Sequence, residues 1–170
     1  MTSVLICLSF LFNLKENYSM LKKFLITLLI ILSILIFLSF IYFFRTESGQ
    51  LKLAKMYYYE EFFSRDYYKA GKLFNELSNK ENNEAQFYLG EMYSQGNGVR
   101  QDYLKAAEYY RKSAINGNTE AQTNLGYLYY RGEGVEYNVD IAKDWLGKAC
   151  DNGNQNACDS YSRINQYGRL

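Results

Sequence analysis

The chain has 170 residues, nineteen of them basic and eighteen acidic, with no histidine and no proline. A charge balance this close to neutral excludes the basic stripe that nucleic acid requires. The missing histidine removes the commonest general base and the commonest metal ligand, so neither a metal nor another cofactor is expected.

Residues 1–19 form an uncertain leader. Their apolar part, Val4 to Leu14, is too short to span a bilayer, and Cys7 lacks the small neighbours of a lipidation site. Met20, followed by Leu21, Lys22 and Lys23, has the form of an anchor's natural start. Translation is therefore expected to begin at Met20, with a disordered or membrane-skimming leader as the alternative. From Phe24 to Phe44, twenty-one residues pass without a charge. As a helix this run is about 31 Å long, the thickness of a bilayer core. A secretory signal has an apolar core of only about 7–15 residues and a small-residue cleavage site. This run instead ends in Tyr42, Phe43 and Phe44, which suit the membrane interface. The expectation is an uncleaved anchor over 20–45, crossing a bacterial inner membrane through 24–44. Positive charge is tied across the run, with Lys15, Lys22 and Lys23 before it and Arg45, Lys52 and Lys55 after it; with Met20 as the start, Lys22 and Lys23 beside the N-terminus favour an N-in orientation.

The remainder repeats. "EAQFYLGEMYSQGNGV" at Glu84–Val99 returns as "EAQTNLGYLYYRGEGV" at Glu120–Val135, and fourteen of thirty-six positions agree between 84–119 and 120–155. Such a period signals stacked structural units. It continues more weakly upstream, where Leu53, Tyr57, Asp66 and Ala70 precede Leu89, Tyr93, Asp102 and Ala106 by 36. Downstream, Ala157 continues the series Ala85, Ala121. The expected divisions are a degenerate hairpin at 46–83, full units at 84–119 and 120–155, and a half-unit at 156–170.

Each unit reads as two helices. Ala85, Leu89, Met92 and Tyr93 recur at helical spacing, as do Ala121, Leu125, Leu128 and Tyr129. Thr119 with Gln122, and Asn83 with Gln86, look like caps for the first helices. Asp66, Asp102 and Asn138 are in-phase caps for the second. Between the helices lies Gly96-x-Gly98-Val99, repeated as Gly132-x-Gly134-Val135, where glycine permits a positive φ and valine returns to the core. Gly90 and Gly126 lie inside helices, which makes sense if a neighbouring helix approaches closely there. Ala106, Ala114, Ala142 and Ala149 serve the same purpose on the second helices, and Tyr109 and Trp145 share one register between units. The fold expected is an all-α, right-handed helical-hairpin solenoid behind one transmembrane helix.

Cys150 and Cys158 fall in the last turn of one helix and the first turn of the next. Two cysteines without histidine are too few ligands for zinc, and the spacing is not Cys-x-x-Cys. A bridge closing nine residues is worth about 2.6 kcal/mol. Two small buried side chains are the other reading, since the aligned positions 114 and 122 hold Ala and Gln.

The motif Leu-Gly-x-x-Tyr-x-x-Gly-x-Gly-Val, with Lys-Ala near 105 and a Lys-x-Ala close, resembles the Sel1-like repeat, a relative of the tetratricopeptide repeat. The likeness covers Glu84–Gln155 and part of 156–168. It departs at Ile141, where the first unit has Lys105, and in 48–83, where Glu60, Phe62 and Phe63 replace Gly96, Gly98 and Val99. One branch, the Helicobacter cysteine-rich proteins, bridges adjacent helices through cysteine pairs with seven residues between them. That resemblance implies a Cys150–Cys158 bond and export. A bond persists only where conditions are oxidising, so the repeats are expected on the periplasmic side.

Carried over from the tetratricopeptide repeat, the ligand-facing positions of the concave face are Phe87, Glu91, Ser94 and Gln95, then Thr123, Tyr127, Tyr130 and Arg131. Asp159, Arg163 and Gln166 follow in the half-unit, and Tyr58 and Tyr59 extend the strip upstream. Such a strip implies a protein or peptide partner, hence an interaction scaffold. The cysteine-rich branch also implies a β-lactamase or a penicillin- or peptidoglycan-fragment-binding protein. The serine-enzyme motifs of that chemistry are missing apart from Ser19-x-x-Lys22, beside the anchor.

Overall fold

In a computed structural model the described residues are 2–59 and 65–168, with side chains for 18 and from 20 onward. They contain helices and no strand, in two units, Met1–Thr46 and Glu47–Leu170.

The first unit is one helix, α1, Thr2–Arg45. The helix runs without interruption through residues 2–19, where a disordered leader was the alternative, because neither glycine nor proline occurs between Thr2 and Arg45. Its segment Met20–Arg45 is long and apolar enough to cross a membrane, and none of it is buried against protein. Two of the hydroxyls in this stretch, on Thr27 and Ser33, donate to the carbonyls of Phe24 (2.8 Å) and Ile30 (2.7 Å). Neither of these two side chains is then left unsatisfied in hydrocarbon.

The second unit comprises α2 Glu47–Tyr59, α3 Tyr67–Ser78, α4 Asn83–Gln95, α5 Tyr103–Ile115, α6 Thr119–Arg131, α7 Val139–Asp151 and α8 Gln155–Tyr167. Among the described residues each helix packs on those adjacent in sequence, and a smaller contact joins α4 to α6. That nearest-neighbour pattern defines a helical-hairpin solenoid. The second helices α3, α5 and α7 begin where expected: Asp66, Asp102 and Asn138 accept from the amides of Lys69, Lys105 and Ile141. The first helices begin one residue earlier than expected. Asn82, Asn118 and Asn154 are the caps, accepting from Ala85, Ala121 and Ala157. The cause is the preceding residue. Gly117 and Gly153 turn with φ of +87° and +90°, which delivers the following asparagine in the extended conformation of a cap. Glu81 holds that place before Asn82 with φ +63°, a left-handed conformation for a residue with a Cβ.

The Gly-x-Gly turns form as expected, with φ between +67° and +75° at Gly96, Gly98, Gly132 and Gly134. Val99 and Val135 pack back on the core. The aligned segment 60–64, with Glu60, Phe62 and Phe63, lies outside the described residues. Gly90 and Gly126 meet partner helices closely: an added Cβ would lie 2.5 Å from the Tyr110 ring and 2.8 Å from Leu146, respectively. The alanines at 106, 114, 142 and 149 are fully or almost fully buried. Buried polar groups also join successive helices. Ser113 donates to the Asn83 carbonyl (2.6 Å), and the Gln122 side chain donates to Ala114 and accepts from Asn152. Cys150 and Cys158 are bonded, with Cα atoms 4.6 Å apart, and tie α7 to α8.

Candidate functional site

Stacking places equivalent positions of α4, α6 and α8 side by side. Phe87, Thr123 and Asp159 form one row, and Glu91, Tyr127 and Arg163 the next. All six line an open concavity of about 470 Å³. A second hollow of about 260 Å³ continues from it, lined among others by Ser94, Gln95 and Arg131. Glu91, Asn124 and Tyr127 border both, so the two are one groove. Its combined size is typical of a ligand site.

Several of the expected strip residues behave differently. Tyr58 is only 6% exposed and sits in the core with Phe74 and Tyr88, so it is not part of the exposed strip. Its hydroxyl accepts from the Asn97 side chain (3.2 Å), and burial pushes it up to about 12. The tyrosine is drawn inward because it fills the first hairpin's core against four neighbouring aromatic rings. Tyr130 packs against the core of α7 and α8, near Tyr137, and lines neither hollow. Thr123 lines the groove but is 6% exposed, and its hydroxyl donates to the Thr119 carbonyl (2.8 Å). Tyr59 is half exposed, with its hydroxyl 3.5 Å from that of Tyr88, and Gln166 is exposed away from both hollows.

The groove also contains residues that the helical pattern did not mark. Asn124 and Ser160 occupy the register of buried Tyr88, one and two units on. They are polar because tyrosine hydroxyls reach them: Tyr127 and Ser160 lie 2.9 Å apart, and Asn124 bonds Tyr110. Tyr110 in turn meets the Ser94 hydroxyl at 3.1 Å. The hydroxyls of Ser94, Thr123 and Ser160 are thus committed to tyrosine or backbone. Among the described residues no lysine lines the groove.

Glu91 is the electrostatic anomaly. Its carboxyl is held above the usual range by desolvation. Among the described residues no cation lies within ion-pairing distance of it. Its charge is felt around the site: burial first, and then Glu91, raise the phenols of Tyr58 and Tyr110, while at Tyr59 burial and Tyr88 raise the phenol ahead of Glu91. Arg131 stands along the groove with its guanidinium 5.8 Å from the Tyr127 ring centre and 3.9 Å from Glu133.

Comparison with known proteins agrees with this architecture. Among solved structures, the protective antigen of uropathogenic Escherichia coli, described as displaying an SLR fold, is 30% identical with a TM-score of 0.70, over 73% of this chain and 27% of that one. A Sel1 repeat protein from Oxalobacter formigenes is 23% identical with a TM-score of 0.68, over 73% and 51%. Cysteine rich protein B of Helicobacter pylori is 28% identical with a TM-score of 0.55, over 68% of this chain and 98% of that one. The chain thus spans about a quarter of the first and half of the second. No curated protein matches it. The sequence pattern described as "Sel1 repeat" matches three times in succession, at 48–82, 83–118 and 119–154. Those matches cover each hairpin of the solenoid, and the chain belongs to the Sel1 repeat family.

Proposed function

We propose that this protein is a membrane-tethered interaction scaffold whose groove across α4, α6 and α8 receives an extended segment of a partner protein. The observation that carries the reading is the groove itself: an open channel with the aromatic faces of Phe87 and Tyr127 beside the unpaired Glu91 carboxylate and the exposed Arg163. Mixed aromatic and charged walls of this kind make interaction hot spots. Hydroxyls committed elsewhere speak against a hydrolytic site. For the β-lactamase or penicillin-binding alternative, turnover of nitrocefin by the purified protein is the direct check, and none is expected.

The tether is α1. Lys22 and Lys23 ahead of the apolar run favour N-in, and the Cys150–Cys158 bond favours an oxidising space for the repeats. The protein then sits in the inner membrane with its repeats on the periplasmic side.

The test is crosslinking in living cells followed by capture of the intact anchored protein, in wild type and two groove variants. Tyr127→Ala should weaken partner binding by about 2 kcal/mol, the scale of a hot spot. Tyr127 also touches the core of α7 and α8, so Arg163→Glu is the companion: Arg163 is exposed, and its reversal leaves the packing alone. Capture that survives both changes places the binding surface elsewhere.

A further inference from the structure

Half-burying a carboxylate costs free energy unless a partner compensates it, and Glu91 has none. Elsewhere the repeats supply cations to their own aromatic faces. Lys55 lies 5.5 Å from the Tyr88 ring centre, Lys69 5.2 Å from Tyr57, Lys105 5.2 Å from Tyr93, Lys112 5.4 Å from Tyr109 and Lys148 4.4 Å from Trp145. At Phe87 and Glu91 a ring and a negative charge line the groove without such a cation, whereas the neighbouring Tyr127 ring already has the Arg131 guanidinium 5.8 Å from its centre. The groove as a whole is also acidic. Glu91, Glu120, Glu133 and Asp159 line it against Arg131 and Arg163, while the chain is close to neutral.

We propose that the groove selects segments carrying a lysine or arginine, with that cation seated on the Glu91 carboxylate against Phe87. This rests on the reading of the groove as a peptide channel and names what the channel prefers. A cation is attracted by an aromatic face and by a carboxylate, and both attractions strengthen when water is displaced. Glu91 borders both hollows, so a side chain placed there leaves room for the segment to continue on either side. Arg163, at the α8 end, is left for the carbonyls of the same segment. The acidic lining disfavours segments rich in aspartate or glutamate, which gives selectivity by repulsion as well as attraction.

The experiment uses the full chain in lipid nanodiscs and four decapeptide libraries with random flanks. Their central residue is fixed as lysine, arginine, N-acetyl-lysine or norleucine, and binding is read by fluorescence anisotropy. Lysine and arginine libraries should bind at least about tenfold tighter than the acetyl-lysine and norleucine libraries, a difference of about 1.4 kcal/mol. Glu91→Gln should bring that ratio toward one, while Glu108→Gln, on the exposed side of α5, should keep it. Equal binding of lysine and norleucine libraries, still weakened by Arg163→Glu, overturns the cation preference and leaves the channel standing. Failure of every library to bind overturns both. A ratio that persists in Glu91→Gln overturns the assignment to Glu91. If that variant loses its helical signal, the wild-type comparison of lysine with norleucine decides alone.

Discussion

Gly132 and Gly134 share one turn and one backbone conformation, each with φ +67°, yet replacing them by alanine should have very different consequences. At Gly132 an added Cβ would come 3.3 Å from the Tyr137 Cβ, a contact that a small shift relieves. The left-handed conformation costs alanine about 1–2 kcal/mol, partly offset by the smaller entropy of the unfolded chain, so Gly132→Ala should lose about 1 kcal/mol. At Gly134 the same Cβ would fall on the carbonyl of Tyr103 and the nitrogen of Leu104, well inside the 3.0 Å that real Cβ atoms keep. These are backbone atoms of the first turn of α5, held in place by the Asp102 cap, so nothing there can swing aside. Overpacking adds about 1–3 kcal/mol to the same conformational cost, which puts Gly134→Ala at about 2–4 kcal/mol. Urea unfolding followed by fluorescence of Trp145, the single tryptophan, which packs against the core of α5 and α6, measures both. Equal losses at the two glycines would show that the turn does not rest on the preceding unit as described.

Glu81→Gly should gain about 0.5–1 kcal/mol, because glycine adopts the left-handed conformation that strains glutamate; a loss in the same urea assay would contradict this. Cys150→Ser should cost about 2–4 kcal/mol and loosen α8, whose buried face is only Ala157, Ser160 and Ile164; hydrogen exchange confined to α8 would report it, and unchanged protection would refute it. Glu91→Gln should stabilise the protein at pH 7. The folded state holds the Glu91 proton more tightly than the unfolded chain does, so its penalty is full above the raised pKa and vanishes as pH falls toward the ordinary carboxyl range. A melting-temperature gain that stays constant from pH 8 to pH 4 would show that desolvation is not the cause. Alkaline phosphatase fused after Leu170 should be active and membrane-bound, whereas a soluble fragment starting near Thr46 would identify α1 as a cleaved signal.

The repeat was legible because the same side chains must meet the same neighbours every thirty-six residues, and the caps of α3, α5 and α7 were legible for the same reason. The caps of α4 and α6 were not. Asn82 and Asn83, or Asn118 and Thr119, are all good capping residues, and only the left-handed residue just before them decides which one is used. Tyr58 looked like a groove residue because its equivalent, Ser94, is one. In the first hairpin that position faces the rings of Phe74 and Tyr88 and closes the core instead. Asn124 and Ser160 were hidden by the opposite effect. Their register is apolar in α4, and the hydroxyls of Tyr110 and Tyr127 that call for polar partners come from other helices.

The second glycine of each turn meets the opening residue of the preceding unit's second helix: Gly98 meets Tyr67, and Gly134 meets Tyr103. Every full unit therefore carries both halves of one joint, a bare backbone at its loop and a receiving helix end for its successor. A copy of 84–119 inserted after Thr119 would bring both halves with it and lengthen the groove by one interval. A copy of 48–83 would not, since it carries Phe62 where the joint needs glycine. Groove length is thus a property that can be changed in whole steps of thirty-six residues, and the first hairpin is a piece that can begin such a stack but not be built into its middle.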